Sequence, residues 1–120
     1  MRGFSLLSGY GGALVYFSLK IWAIGGKVKI CKDVKIGNIY YNEGDKKPWS
    51  MNLEDYFYNR IITAFILLDW DTAIECLYKH DNEYIEIIKN RILKNMPEIM
   101  AMREYISKNK KQDINHLIIK

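Results

Sequence analysis

A long, almost entirely apolar segment bounded by glycines is the feature that most limits what this chain can fold into. Residues 13–24 are apolar on almost every side, and only Ser18 and Lys20 interrupt them with strongly polar groups. A helix with apolar residues on all sides is one that a protein core surrounds. Gly25 and Gly26 follow directly and favour a helix end, since glycine adopts the left-handed conformation that closes many helices. The sequence therefore predicts a buried helix over residues 13–24.

Two short segments after this helix alternate apolar with charged residues. Residues 27–31 read Lys-Val-Lys-Ile-Cys, and residues 34–36 read Val-Lys-Ile. A period of two is typical of a strand with one buried face, and Lys32-Asp33 would form the turn between the strands. We therefore predict a two-stranded β element at residues 27–31 and 34–40, on which the first helix packs.

The second half of the chain predicts helices. Asn52 is a suitable N-cap residue, because acidic residues occupy the turn that follows it. A second helix is predicted at residues 71–78 and a third from Asp81. A fourth is predicted to begin near Pro97, since proline is favoured in the first turn of a helix.

Length and composition fit one globular domain. The chain has 120 residues, of which 49% are hydrophobic and 27% charged, so that neither disorder nor a disulfide scaffold is indicated. We predict a single α+β domain over residues 1–120 that is helix-rich and has a short two-stranded β element. Residues 1–47 would form its helix and strand segment, and residues 48–120 its helical segment.

The distribution of lysines raises the question of an anionic partner. Seven lysines between residues 20 and 47 make that stretch locally basic, although the net charge of the whole chain is only +4. Such a surface can attract phosphates, nucleic acid or an anionic membrane. Lysines on the solvent face of strands explain the same pattern without any ligand. Nucleic acid is therefore the less favoured partner.

The cysteines and the N-terminal segment bear on the compartment. Cys31 and Cys76 lie far apart without a CxxC spacing, as expected for reduced thiols in a cytosolic protein. Residues 3–19 carry no charge, but their glycines, serines and tyrosines are too polar for a bilayer span, and no small-residue cleavage site follows. The sequence predicts a cytoplasmic protein with no transmembrane segment.

Residues 11–41, GGALVYFSLKIWAIGGKVKICKDVKIGNIYY, resemble part of the GT-A glycosyltransferases. The likeness is to the polypeptide N-acetylgalactosaminyltransferases and related family-two enzymes, whose segment reads Gly-Gly-Glu, Ser and Trp in a helix, Gly-Gly, two short strands and Gly-His. The positions that match this spacing without a gap are Gly11, Gly12, Ser18, Trp22, Gly25, Gly26 and Gly37. Asn59-Arg60 is a weaker echo of the helix that follows. The resemblance implies the C-terminal portion of a GT-A domain.

The resemblance also implies where a substrate would bind. In the family the glycine pair lets the backbone approach the sugar, which assigns Tyr10, Gly11 and Gly12 to substrate binding. Trp49 lies in a loop that could stack on a sugar ring, and ordinary packing in the core explains this tryptophan as well.

The chain departs from the family at its polar positions. Ala13 stands where the family has an acid, and Asn38 stands where a histidine helps to hold a divalent cation, Mn²⁺ or Mg²⁺. No catalytic residue is therefore assigned, and Asn38 is a degenerate metal position. Asp69 and Asp71 follow an apolar run and resemble a metal-binding Asp-x-Asp motif in isolation. Their place after the glycine segment is wrong for the family, and we favour a helix N-cap at Asp69 or Asp71.

These departures shape the expected function. The resemblance implies a fragment or derivative of an enzyme that transfers a sugar from a nucleotide-sugar donor, because the donor-binding strand and helix unit does not precede the glycine segment. We expect the isolated chain to be inactive and to need no cofactor of its own. The expected partners are a second chain that supplies the donor-binding half, or a second copy of this chain. The alternative is a non-catalytic module that binds a glycan, a protein or an anionic ligand on the basic face.

Overall fold

A computed structural model of the protein describes residues 6–9, 11–29, 31–35, 37, 52–79 and 83–114. Within them lie four helices: α1 (Ala13–Ala23), α2 (Leu53–Leu67), α3 (Trp70–Lys79) and α4 (Ile85–Asn109). Helix α2 is central, since α1, α3 and α4 all pack on it, and α4 also contacts α1. None of the helices in this part of the chain combines the length and the apolar character that crossing a bilayer would require.

The predicted α+β fold is wrong, because the residues that the structure describes contain helices and no strand. In the predicted β element the lysines are exposed, but so are Val28 and Val34, which keep 65% and 58% of their surface accessible. An alternating pattern stabilises a strand only where one face is buried and a neighbouring strand takes up the backbone hydrogen bonds. The described residues of this element meet neither condition, since they are exposed and form no strand. Positions 30, 36 and 38–40 of that element lie outside the described residues.

Helix α1 ends where the glycine pair predicts. The backbone N–H of Gly26 donates to the carbonyl of Ile21 at 2.8 Å, and that of Gly25 donates to Trp22 at 2.9 Å. Gly25 has a φ of +87°, so this is the Schellman arrangement, in which a left-handed residue closes the helix. The prediction of a helix from residue 13 is confirmed, and its end differs by one residue.

The burial of α1 differs from the prediction, because only one face of the helix enters the core. Tyr16, Lys20 and Ala23 are buried, whereas Leu14 and Val15 keep 80% and 60% of their surface exposed. The apolar residues of the first turn therefore lie outside the four-helix core.

Helix α2 begins as predicted, with Asn52 as its N-cap. The side-chain oxygen of Asn52 accepts a hydrogen bond from the backbone N–H of Glu54 at 3.0 Å. This bond satisfies one of the N–H groups that the first turn of a helix leaves without an intrahelical partner.

Helix α4 joins two predicted helices into one, since it runs from Ile85 to Asn109 with Pro97 inside it. A proline in a helix interior costs about 3 kcal/mol, because it removes a hydrogen bond and crowds the preceding turn. Here a buried stripe on both sides of the proline packs against α2 and offsets that cost; it consists of Ile88, Ile92, Ile99, Met102 and Ile106. Pro97 itself is exposed.

The buried face of α1 places a lysine and a tyrosine together in the core. Lys20 is 0% exposed and Tyr16 is 1% exposed. The ammonium group of Lys20 donates to the Tyr16 hydroxyl at 3.5 Å and lies 5.3 Å from the centre of the ring. Burial raises the pKa of Tyr16 to about 12. The sequence placed Lys20 in the basic stretch, but the structure removes it from the surface.

This burial predicts a loss of stability in alkali. The unfolded chain releases the Tyr16 proton near the ordinary pKa of 10.0, whereas the folded chain keeps it until about pH 12. The stability is thus fully present below pH 10 and falls as the pH rises through that window, by on the order of 2 to 3 kcal/mol in total. Urea unfolding at several pH values should show this fall, and Tyr16→Phe should reduce it. Tyr78→Phe, at a residue that is 62% exposed, is the matched control, and equal slopes in both variants would contradict the assignment.

Candidate functional site

The glycine loop, of which residues 8, 9, 11 and 12 are described, is held on α2 by the side chain of Asn59. Asn59 is 0% exposed, and its amide nitrogen donates to the carbonyls of Ser8 and Gly11, each at 2.8 Å. Its amide oxygen accepts from the backbone N–H of Ser8 at 2.9 Å. One buried amide therefore takes up three backbone groups that the loop would otherwise leave without partners.

The loop lies so close to α2 that side chains would not fit in it. Gly11 has a φ of +110°, and a Cβ added there would lie 2.7 Å from Cδ2 of Tyr56. Gly9 has a φ of +58°, and its added Cβ would overlap the carboxylate of Asp55. Both the positive φ and the close approach require glycine at these two positions. The glycines that the sequence singles out are thus explained by backbone packing on α2.

Helix α1 starts directly from this loop without a side-chain cap. Gly12 is its N-cap residue with a φ of +74°, no side chain accepts from its first N–H groups, and its first turn contains no acidic residue. The first N–H groups of a helix carry a partial positive charge, which favours anions and polar oxygens. Ala13, the first residue of the helix, contributes only a methyl group here.

A groove opens where α1 leaves the loop. It has a volume of about 350 Å³ and is lined by Gly12, Val15, Tyr56, Arg60 and Thr63. A second concavity of about 180 Å³ shares Val15, Arg60 and Thr63 with it and continues towards α3. We call the first of these the glycine-loop groove.

The polar groups of the glycine-loop groove come from successive turns of α2. The Arg60 guanidinium donates to the Tyr56 hydroxyl at 3.4 Å and lies 5.5 Å from the centre of the Tyr56 ring. The Thr63 hydroxyl donates to the carbonyl of Asn59 at 2.6 Å. An exposed guanidinium beside an aromatic ring can bind a phosphate or carboxylate and contact the face of a sugar.

The acidic residues near the groove are engaged elsewhere. Arg91 of α4 donates to Glu54 at 2.6 Å and lies 3.0 Å from the Asp55 carboxylate. The same guanidinium lies 4.0 Å from the centre of the Tyr58 ring. These contacts join the start of α2 to α4, and they neutralise the Asp55 carboxylate, which lies against Gly9 of the glycine loop.

The structure brings some of the predicted site residues together and separates others. Gly12 lines the groove, and Gly11 lies in the loop beside it. Tyr10, Asn38 and Trp49 lie outside the described residues. Tyr56 and Thr63 are not among the residues predicted from the sequence, and Arg60 appears there only as an echo of the family. The three residues are four and three positions apart, which places them on one face of a helix. This spacing is the feature of the sequence from which they could have been predicted.

Asp69 caps α3 and does not line the groove. Its two carboxylate oxygens accept from the backbone N–H of Thr72 at 2.9 Å and from the Thr72 hydroxyl at 2.7 Å. These hydrogen bonds, the backbone one first, hold the pKa of Asp69 below its ordinary value. Asp71 is exposed in the first turn of α3. No three His, Cys, Asp or Glu side chains within the described ranges could hold a metal ion together, so these contacts do not support a cation site at Asp69 and Asp71, which stays a prediction.

The chain matches no protein-family model, no curated protein and no solved structure. The resemblance to GT-A glycosyltransferases therefore stays a prediction based on residues 11–41. Any assignment of function depends on the geometry of the glycine loop and its groove.

Proposed function

We propose that this chain is a glycosyltransferase-derived module that binds a sugar or sugar phosphate in the glycine-loop groove and does not transfer it unaided. The observation that carries the proposal is the glycine loop itself. Asn59 fixes it, and the groove opens directly beside Gly12 and the uncapped start of α1. The family to which residues 11–41 are similar brings a sugar to the equivalent glycines.

The groove offers the contacts that such a ligand needs. The Tyr56 ring supplies an aromatic face, and sugars present C–H groups that pack on such faces. Arg60 supplies up to five N–H donors for a phosphate or for hydroxyl groups. The first N–H groups of α1 add donors with a partial positive charge. The volume of about 350 Å³ is at the small end of ligand sites, which suits one sugar ring.

The same groove lacks what transfer requires. Departure of a nucleoside diphosphate leaves negative charge that a cation or fixed donors must stabilise, at several kcal/mol for each contribution. Ala13 removes the family's acid, and Arg91 engages the nearby Glu54 and Asp55. No cofactor is proposed for the isolated chain, and a second chain would have to bring the donor site with its Mn²⁺ or Mg²⁺.

Binding can be tested with glucose 1-phosphate and N-acetylglucosamine 1-phosphate, followed by the amide NMR signals of Gly11 and Gly12. We expect these signals to shift on titration. Arg60→Ala should raise the Kd at least about tenfold, because a hydrogen bond to a charged group contributes roughly 1.5 to 3 kcal/mol. Lys94→Ala removes the same charge from an exposed position on α4 and should leave the Kd unchanged.

Two outcomes would contradict the proposal. If Arg60→Ala and Lys94→Ala weaken binding equally, the ligand responds to net charge and not to the groove. If the purified chain turns over a sugar nucleotide with Mn²⁺ or Mg²⁺, and Asp69→Asn abolishes that turnover, the chain is an enzyme and Asp69 is a metal ligand.

A protein partner is the second candidate function, and the exposed first turn of α1 supports it. Leu14 and Val15 are 80% and 60% exposed beside the groove, and a chain that supplies a donor-binding half could cover them.

The two cysteines form no disulfide, which supports the cytoplasm as the proposed location.

A further inference from the structure

Helix α4 carries a second stripe beside the one that it buries, which is apolar at its centre and polar at its ends, where Lys89, Arg103 and Ser107 lie. Positions 89, 93, 96, 100, 103 and 107 alternate in spacing between four and three residues, which is the repeat of helices that pack along their length. The centre of this stripe is Leu93, Met96 and Met100. Leu93 is 67% exposed and Met100 is 41% exposed. This outer stripe is therefore patterned for a helix that the four-helix core does not provide.

The outer stripe forms one wall of an open groove, the α3–α4 groove. Helices α3 and α4 both pack on α2, while their backbones hardly approach each other. The described cavity there, of about 200 Å³, has Phe65 of α2 among its lining residues, with Leu77 and Tyr78 on α3 and Leu93 and Met96 on α4. Methionine and leucine walls of this kind are suited to receiving an apolar helix face.

Two contacts between a cation and an aromatic ring mark the ends of the α3–α4 groove. The Lys89 ammonium lies 5.3 Å from the centre of the Tyr78 ring at one end. The Arg103 guanidinium lies 4.9 Å from the Trp70 ring at the other. At 1.5 Å per residue, the stretch between Tyr78 and Trp70 on α3 measures about 12 Å and that between Lys89 and Arg103 on α4 about 21 Å. Both helices therefore line the groove together over about two turns of a helix.

We propose that the chain forms a twofold dimer in which α4 of each copy packs antiparallel along the α3–α4 groove of the other. In a twofold dimer the same surface of each copy forms the interface. The outer stripe must therefore be complementary to the same stripe running in the opposite direction. With the axis between Met96 and Pro97, Leu93 of one copy comes level with Met100 of the second. An exposed apolar ridge thereby meets an apolar wall on both sides of the axis.

The same register also makes the charges complementary. Lys89 of one copy comes level with Glu104 of the second copy, and this pairing occurs twice. Within the monomer these residues pair with Glu86 at 2.8 Å and with Lys108 at 2.6 Å, both near the surface. Exposed pairs of this kind contribute little, so exchanging them across an interface costs little. One register thus pairs Leu93 with Met100 and Lys89 with Glu104. This inference does not depend on the proposed sugar binding.

Sedimentation equilibrium over a range of protein concentrations tests the dimer. We expect a monomer–dimer equilibrium in which Leu93→Lys raises the dimer Kd by at least about tenfold. Leu14→Lys, at the exposed start of α1, introduces the same charge away from the groove and should leave the Kd unchanged. Thermal unfolding of Leu93→Lys should match that of the unaltered chain at low concentration, where both are monomers, which separates lost association from lost folding.

A charge exchange tests the register. Lys89→Glu and Glu104→Lys should each weaken the dimer, and the double variant should restore the Kd to within about threefold of the original, because it rebuilds both pairs in reverse. A chain that stays monomeric at all concentrations would overturn the proposal. So would a dimer that Leu14→Lys dissociates, a double variant as weak as the single ones, or a groove that takes up an added amphipathic helical peptide while the chain remains a monomer.

Discussion

Replacing Asn59 with alanine is expected to lower the free energy of unfolding by about 3 to 5 kcal/mol. The substitution removes three hydrogen bonds to Ser8 and Gly11 and leaves backbone groups of the loop without partners, at roughly 1 to 3 kcal/mol for each group that stays buried. Domains of this size are stable by about 5 to 15 kcal/mol in total. Chemical denaturation followed by circular dichroism measures the change.

Asn109→Ala is the matched control for this loss. Asn109 is exposed and donates one hydrogen bond to the carbonyl of Tyr105 at 2.8 Å, so its removal should cost less than about 0.5 kcal/mol. If Asn59→Ala costs no more than this control, the loop does not depend on the buried amide. The NMR signals of Gly11 and Gly12 should also broaden or move in Asn59→Ala, because the loop loses its only described side-chain anchor on α2.

Replacing Arg103 with methionine should lower the free energy of unfolding by about 2 to 4 kcal/mol. The Arg103 guanidinium donates to the carbonyls of Phe65 and Leu68 at 2.6 and 2.5 Å, which lie at the C-terminal end of α2. It also lies over the Trp70 ring, and that ring packs edge-on against Phe65 at 5.3 Å. Methionine keeps much of the volume but loses both hydrogen bonds and the charge.

Two further variants separate the possible causes of that loss. Arg103→Lys keeps the charge and should recover only part of the stability, because an ammonium group could replace the Nη1 donor of the two hydrogen bonds but lacks the planar group that stacks over the Trp70 ring. Lys108→Met removes a charge from an exposed position one turn away, where the pair with Glu104 is exposed, and should cost less than about 0.5 kcal/mol. Equal losses for Arg103→Met and Lys108→Met would show that net charge on α4, and not the bonds to α2, sets the stability.

Helix positions could be predicted from the sequence where local signals decide them. Asn52 caps α2 and Gly25 closes α1, because caps depend on one residue and its immediate neighbours. The β element failed for the opposite reason. Alternation of apolar and charged residues shows only that a segment could form a strand with one buried face, and the described residues between 27 and 35 are all exposed. The prediction that a helix begins near Pro97 was wrong for the same reason. The proline lies inside α4, and the packing on both sides of it that keeps the helix continuous cannot be derived from the local sequence.

The site was predictable only in part. The glycines were singled out because their spacing resembles that of a known family, but the side chain that fixes them, Asn59, lies 48 residues or more along the chain from the groups it binds. Contacts over such a distance cannot be derived from a single sequence. Lys20 shows the same limit, since a lysine in an apolar helix is as compatible with a solvent-facing position as with the buried one that it occupies.

The central place of α2 has a consequence for how the molecule opens. Because α1, α3 and α4 each pack chiefly on α2, the described helices cannot keep a common core once α2 leaves it. Partial opening can therefore involve α1 or α3 alone, whereas exposing the backbone amides of α2 requires the whole bundle to come apart. In deuterated solvent the amides of α2 should be the last to exchange, at a rate set by global unfolding, and those of α3 should exchange through smaller and more frequent openings.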